Sequence, residues 1–147
     1  TNVPLLLKVS PDIQDKEISE IVDIATNNGI SAIILTNTTT GNRDNLVGDA
    51  KNEDGGLSGQ PLQQISTNMI KKFYKQLNGK IPIIGVGGVN SGRAAYEKII
   101  AGASLLQLYT SFVYRGPSVV KNIKKELIEI FKTEGIKSIK DIVGKGI

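Results

Sequence analysis

The 147-residue sequence contains no cysteine, no histidine and no tryptophan. Without the first two, disulfides, Cys/His zinc sites, thiol nucleophiles and imidazole bases are excluded within this segment. Aromatic residues make up 5% of the chain, too few for the stacking platforms on which single-stranded nucleic acids are held. The net charge of +4 does not change that expectation, because seven of the 18 basic residues (Lys121, Lys124, Lys125, Lys132, Lys137, Lys140 and Lys145) fall in the last 27 positions, as a solvated helix face would. No apolar run reaches the roughly 20 residues of a membrane-spanning helix. The opening Thr1-Asn2-Val3-Pro4 lacks the charged and apolar regions of a signal peptide. Prolines number only 5, but glycines number 16 and gather at the ends of apolar runs, a pattern of tight loops with backbone-mediated contacts. An apolar content of 39% supports an ordinary buried core.

Apolar runs and helical stripes alternate along the chain. Val3 to Val9, broken only by Lys8, reads as a strand buried on both faces of a parallel sheet. Ile18, Ile21, Val22 and Ala25 then recur at helical spacing from about Lys16 to Asn28, with Asp15 as expected N-cap and Gly29 as the stop. The pair repeats as a strand at Ala32 to Leu35 and a helix striped by Leu62, Ile65, Met69, Phe73 and Leu77. It repeats again as a strand at Ile81 to Val86 and a short helix capped by Ser91 and ending at Ile100, then as a strand at Leu105 to Leu108 and a long helix lined by Val120, Ile123, Leu127, Ile130 and Phe131. Four successive βα units imply a parallel α/β sheet, doubly wound or closed as a barrel. Four units are half of a TIM (β/α)8 barrel, whose usual size is about 250 residues. The two raw edges of such a half are costly, so further units are expected before Thr1.

In parallel barrels ligands sit at the carboxyl ends of the strands. Here those ends read Lys8, then Thr36-Asn37-Thr38-Thr39, then Gly85-Val86-Gly87-Gly88, then Tyr109-Thr110-Ser111. A buried Lys8 would need an anion, supplied either by a neighbouring carboxylate or by an electron-rich cofactor. The Thr36–Thr39 hydroxyls and amide suit loop capping or the grip of a planar ligand carrying carbonyl and N–H groups. Gly87-Gly88 before Ser91-Gly92 is expected to offer backbone N–H groups to a phosphate, with Tyr109-Thr110 as the partner loop. The long segment Gly41 to Leu57 has the character of a functional loop, with Arg43, Asp44, Asp49, Lys51, Glu53 and Asp54 facing solvent. Gly55-Gly56-Leu57-Ser58-Gly59 suits close backbone approach to a ligand.

Lys8-Val9-Ser10-Pro11-Asp12, Thr36-Asn37-Thr38-Thr39, Gly55-Gly56-Leu57-Ser58-Gly59 and Ile83 to Val89 through Gly102-Ala103 together resemble the class 2 dihydroorotate dehydrogenases, nearly end to end. That resemblance implies the C-terminal half of an FMN-containing TIM barrel that oxidises dihydroorotate to orotate in pyrimidine (UMP) biosynthesis and passes the electrons to a quinone. It implies FMN contacts from Lys8, Thr36, Ser58, Gly59, Gly87, Gly88, Tyr109 and Thr110, and substrate contacts from Asn37 and Thr38. The family's serine base and its membrane-docking helical hairpin, which admits quinone, match nothing in residues 1–147, so no catalytic residue is assigned in this chain. The location implied is peripheral, on the mitochondrial inner membrane of a eukaryote or the cytoplasmic membrane of a bacterium. Two other readings remain open at this point: a flavin-free, phosphate-binding barrel isomerase or lyase using Lys8, and a non-catalytic half-barrel module.

Overall fold

A computed structural model describes residues 3–41, 43–44 and 46–147. Thr1 and Asn2, and with them the start of the expected signal-free opening, lie outside the described residues, as do Asn42 and Asn45 of the long loop. Four strands, β1 (Leu6–Val9), β2 (Ala32–Leu35), β3 (Ile83–Val86) and β4 (Ala103–Gln107), form one parallel sheet in the order β1-β2-β3-β4. Sequential parallel neighbours joined by helical crossovers are the arrangement of a TIM barrel, and these four units make up half of one.

Helices α1 (Asp15–Asn27), α2 (Gln63–Leu77), α3 (Gly92–Ile100) and α5 (Ser118–Thr133) follow the four strands in turn. The N-cap of α1 is Gln14, not Asp15: Gln14 and Glu17 form a reciprocal capping box, which frees Asp15 to ion-pair with Lys72 of α2. Ser91 caps α3 as expected, its hydroxyl accepting the Ala94 N–H at 3.1 Å. A further helix, α4 (Thr110–Arg115), starts directly at the end of β4. The sequence reads as a loop there because Thr110 to Arg115 buries no residue and so carries no apolar stripe.

The core lies between the sheet and the helices. Val9, Ile33, Leu35, Ile83 and Ala103 from the strands meet Ile18, Val22 and Ala25 of α1 and Met69, Ile70, Phe73 and Leu77 of α2. Ile65 and Val120, read as stripe positions, are instead largely exposed, and Ser66 and Val119 take the buried places beside them. On the opposite face the registered row Lys8, Ile34, Ile84 and Leu105 is open at both ends. Ile84 is 7% exposed while Leu105 is 63% exposed. Burial on both faces therefore holds for the two central strands and fails for the outer two, each of which has a neighbour on one side only.

Beyond α5 the chain packs against the end of the sheet where β4 begins. Tyr74 and Lys71 of α2 donate to the carbonyls of Val143 and Gly146 at 3.3 and 3.0 Å. Ile142 is buried against Tyr96 and Ile99. The opposite end of the sheet is left for the strand-end loops.

Candidate active site

All ten residues singled out from the sequence as ligand contacts line one cavity of about 710 Å³ at the carboxyl ends of the strands. β1 contributes Lys8; the β2 end contributes Thr36, Asn37 and Thr38; the loop leading to α2 contributes Ser58 and Gly59; the β3 end contributes Gly87 and Gly88; the β4 end contributes Tyr109 and Thr110. The volume falls within the roughly 300–1,000 Å³ of small-molecule and cofactor sites.

Lys8 is exposed, and none of the ion pairs among the described residues involves it. The expected burial of its charge is therefore corrected: β1 is an outer strand, and the ammonium stands in the open cavity wall. The neighbouring carboxylate considered as its partner is not among those ion pairs.

At the β2 end the four polar residues divide. Thr36 is 1% exposed, and its hydroxyl donates to the Asn37 carbonyl at 2.8 Å. Thr39 is also buried and donates to Asp12, whose carboxylate further accepts the Thr40 N–H at 2.8 Å and the Thr40 hydroxyl at 3.1 Å. Partial burial pushes the Asp12 carboxyl up, but these three bonds outweigh it and hold the group below its ordinary value. Asn37 and Thr38 are exposed to the cavity. Asn37 Oδ1 accepts the Thr38 N–H at 2.9 Å, which orients the amide and leaves its NH₂ to donate.

The long loop is tied down at both ends. Thr39 and Leu57 exchange backbone hydrogen bonds at 3.1 and 2.7 Å. Arg43, expected to face solvent, is half-buried and donates to the carbonyls of Lys51, Glu53 and Gly55, so it gathers the loop around its guanidinium. Asp49, Lys51, Glu53 and Asp54 are exposed as expected. Ser58 accepts from the Thr110 hydroxyl at 2.9 Å, joining this loop to the β4 end.

Gly87 and Gly88 both have positive φ, 112° and 69°. A Cβ on Gly88 would lie 2.5 Å from Gln63 Cβ and 2.7 Å from its Cα, so the backbone there rests directly on the start of α2. The N-terminus of α3 is occupied from within the protein. Its Gly92 N–H donates to the Glu126 carboxylate at 2.5 Å and its Ala94 N–H to Ser91. The expected anion donors thus narrow to the glycine pair itself and the start of α4, where Tyr109 provides no side-chain cap. Ser111, read from the sequence only as part of the β4 end, and Arg115, which the sequence reading passed over, complete the wall by donating to the carbonyls of Val89 and Asn90. No periodicity marks them, and only the unrecognised helix α4 brings them round.

Comparison with known proteins finds relatives along nearly the whole chain. The family model described as "Dihydroorotate dehydrogenase" matches residues 1–131. The chain belongs to the dihydroorotate dehydrogenase family. Among its relatives is the mitochondrial dihydroorotate dehydrogenase (quinone) of Mus musculus, 45% identical over 140 residues, which are 95% of this chain and 35% of that protein. The dihydroorotate dehydrogenase (quinone) of Rhodospirillum rubrum is 43% identical over 141 residues, 96% of this chain and 38% of that protein. The crystal structure of DHODH from Eimeria tenella in complex with ferulenol superposes with a TM-score of 0.94 at 40% identity, covering 99% of this chain and 39% of that one. The chain thus spans well under half the length of these dihydroorotate dehydrogenases. Among the described residues no helix is long and apolar enough to cross a membrane.

Proposed function

We propose that this chain supplies the C-terminal half of an FMN-containing barrel that oxidises dihydroorotate to orotate in pyrimidine biosynthesis, with a quinone as final electron acceptor. The observation that carries this reading is the convergence of four consecutive strand ends on one cavity, in a chain whose relatives are named dihydroorotate dehydrogenase (quinone). The residues present suit a flavin mononucleotide. The Lys8 ammonium is free of carboxylate partners among the described ion pairs, the Gly87–Gly88 backbone takes the positive φ of a loop that can turn its N–H groups to a phosphate, and the start of α4, without a side-chain cap, lines the same cavity. Thr36, Ser58, Gly59 and Tyr109 complete that cradle.

When bound, FMN supplies the hydride acceptor that no side chain can provide. Asn37 and Thr38 would orient orotate, Asn37 by donating from the NH₂ left free when its oxygen takes the Thr38 N–H. Removal of the C5 proton needs a positioned base; the buried Thr36 hydroxyl is committed to the Asn37 carbonyl, and no residue of this chain is assigned that role. The base, the quinone route and attachment to the mitochondrial inner membrane or bacterial cytoplasmic membrane would come from the preceding half of the barrel and its helical hairpin.

The test is made on the complete enzyme that includes this chain. It should purify yellow and reduce a quinone when given dihydroorotate, and Lys8→Ala should release FMN about ten times more readily. A colourless protein that makes no orotate would overturn the reading. Tight FMN binding by a monomer of residues 1–147 alone would overturn the dependence on a second half.

A further inference from the structure

Lys98 lies outside the cavity and has no part in the reading above. It sits in the last turn of α3 with 0% exposure, a rare place for a lysine. Its Nζ donates to Ser66 Oγ at 3.0 Å, Thr67 Oγ1 at 3.1 Å and the Gln63 carbonyl at 3.3 Å. Three protons meet three acceptors, all neutral and all in the first two turns of α2. A buried ammonium held without a contacting carboxylate is costly, and an apolar side chain of similar length would pack there more cheaply. What it provides is a grip on particular residues.

Those residues are the ones on which the glycine pair rests. A Cβ at Gly87 would meet Ser66 Cβ at 3.0 Å, and the Gly88 backbone leans on Gln63. Ser66 also passes its own proton to the Val86 carbonyl, which accepts the Thr36 N–H at 3.2 Å as well. Gln63 is held a second time, its side-chain amide donating to Glu97 at 3.3 Å. One ammonium therefore fixes, from behind, both supports of the Gly87–Gly88 loop and, through Ser66, the ends of β2 and β3.

We propose that Lys98 is a positioning residue for phosphate recognition: it holds the Gly87–Gly88 loop in register for the phosphate of the flavin and places a fixed positive charge one layer behind it. This rests on the flavin reading given above. A lysine that merely ties two helices together would support every flavin equally. One that serves the phosphate separates FMN from riboflavin, which has the same ring and no phosphate.

The decisive measurement is the affinity of FMN and of riboflavin for the flavin-stripped complete enzyme, in the parent protein, Lys98→Met and Ser66→Ala. Lys98→Met should weaken FMN about 30-fold, the worth of a charge-assisted bond, while riboflavin changes less than about threefold. Ser66→Ala, which keeps the charge and removes the relay, should weaken FMN about fivefold with the same selectivity. Equal losses for both flavins, or an unchanged FMN affinity, in either folded variant would overturn the proposal, and Ser66→Ala decides it alone if Lys98→Met does not fold. A parent enzyme that binds neither flavin overturns the flavin reading along with it. One that binds both equally overturns only the phosphate role.

Discussion

The ends of β2 and β3 lie side by side in the same cavity wall and are built on opposite principles. The β2 end is held by side chains: Thr36 donates to the backbone, Thr39 and Thr40 to Asp12, and Asn37 accepts from Thr38. The β3 end is held by the lack of them, with Gly88 pressed on Gln63 and Gly87 on Ser66. A polar end of this kind loses function in small steps, because each hydrogen bond contributes on the order of 1 kcal/mol. A glycine end fails at once, because an added methyl group has nowhere to go.

Gly88→Ala should therefore show the largest effect. Its φ of 69° and its 2.5 to 2.9 Å clash with Gln63 Cβ, Cα and N add backbone strain to overpacking. The expected cost is roughly 3 kcal/mol in urea unfolding of the complete enzyme, with FMN binding lost. Gly29 offers a control, having the same φ of 69° and no heavy atom within 4 Å of a built Cβ. Gly29→Ala should cost about 1 kcal/mol, the backbone term alone. Equal costs at the two positions would refute the claim that packing shapes the β3 end.

The second effect belongs to the charge behind that end. Burial pulls the Lys98 ammonium down from 10.5 to about 8, with the Glu97 carboxylate partly opposing. Because the folded value is the lower one, the unfolded chain binds more protons between pH 8 and 10.5, and stability contributed by this site rises across that window. Below pH 8 the full cost of the buried charge is present. The stability of the parent enzyme minus that of Lys98→Met should increase by up to ~3 kcal/mol from pH 8 to 10.5. A flat difference would mean that the ammonium is better solvated than its burial implies.

How much of this was legible in the sequence follows the same division. Strands and helices whose apolar faces meet the core, such as Ile33 and Leu35 or Met69 and Phe73, announce themselves by period, and so do the strand ends where polar residues interrupt them. Lys8 was placed in the right cavity, and its charge is exposed in this chain, where β1 has a neighbour on one side only. α4 was missed because it buries no residue. Lys98 was missed because a lysine within an amphipathic helix reads as solvent-facing, and its three acceptors lie more than 30 positions away in sequence. Asp12 escaped for a similar reason of distance, and Arg43, whose acceptors lie 8 to 12 positions away, because residues of a polar loop carry no period.

Asn37→Ala probes the polar end from inside the cavity. Removing one donor from an exposed amide that the proposal assigns to orotate should weaken orotate binding about tenfold and leave FMN affinity within about twofold. A loss of FMN comparable to the loss of orotate would place Asn37 in the cofactor cradle and erase the division between the two ends.

The smallest effect is expected from Asp12→Asn, which leaves an oxygen in place but removes the charge and one of the two acceptor atoms shared by Thr39 and Thr40. The carboxyl is held below its ordinary value of 3.8, so its bonds are complete at neutral pH and are lost only as pH falls through that lowered value. At pH 7 the substitution should speed hydrogen exchange of the Thr40 amide about fivefold, the worth of one ordinary hydrogen bond, and leave amides on the Gly88 side unchanged. If exchange accelerates equally at both strand ends, the two are coupled through Thr36 and the Val86 carbonyl that accepts its N–H. Side-chain anchoring at β2 would then also govern the glycine cradle at β3, and the contrast between the ends would be one of construction without independence.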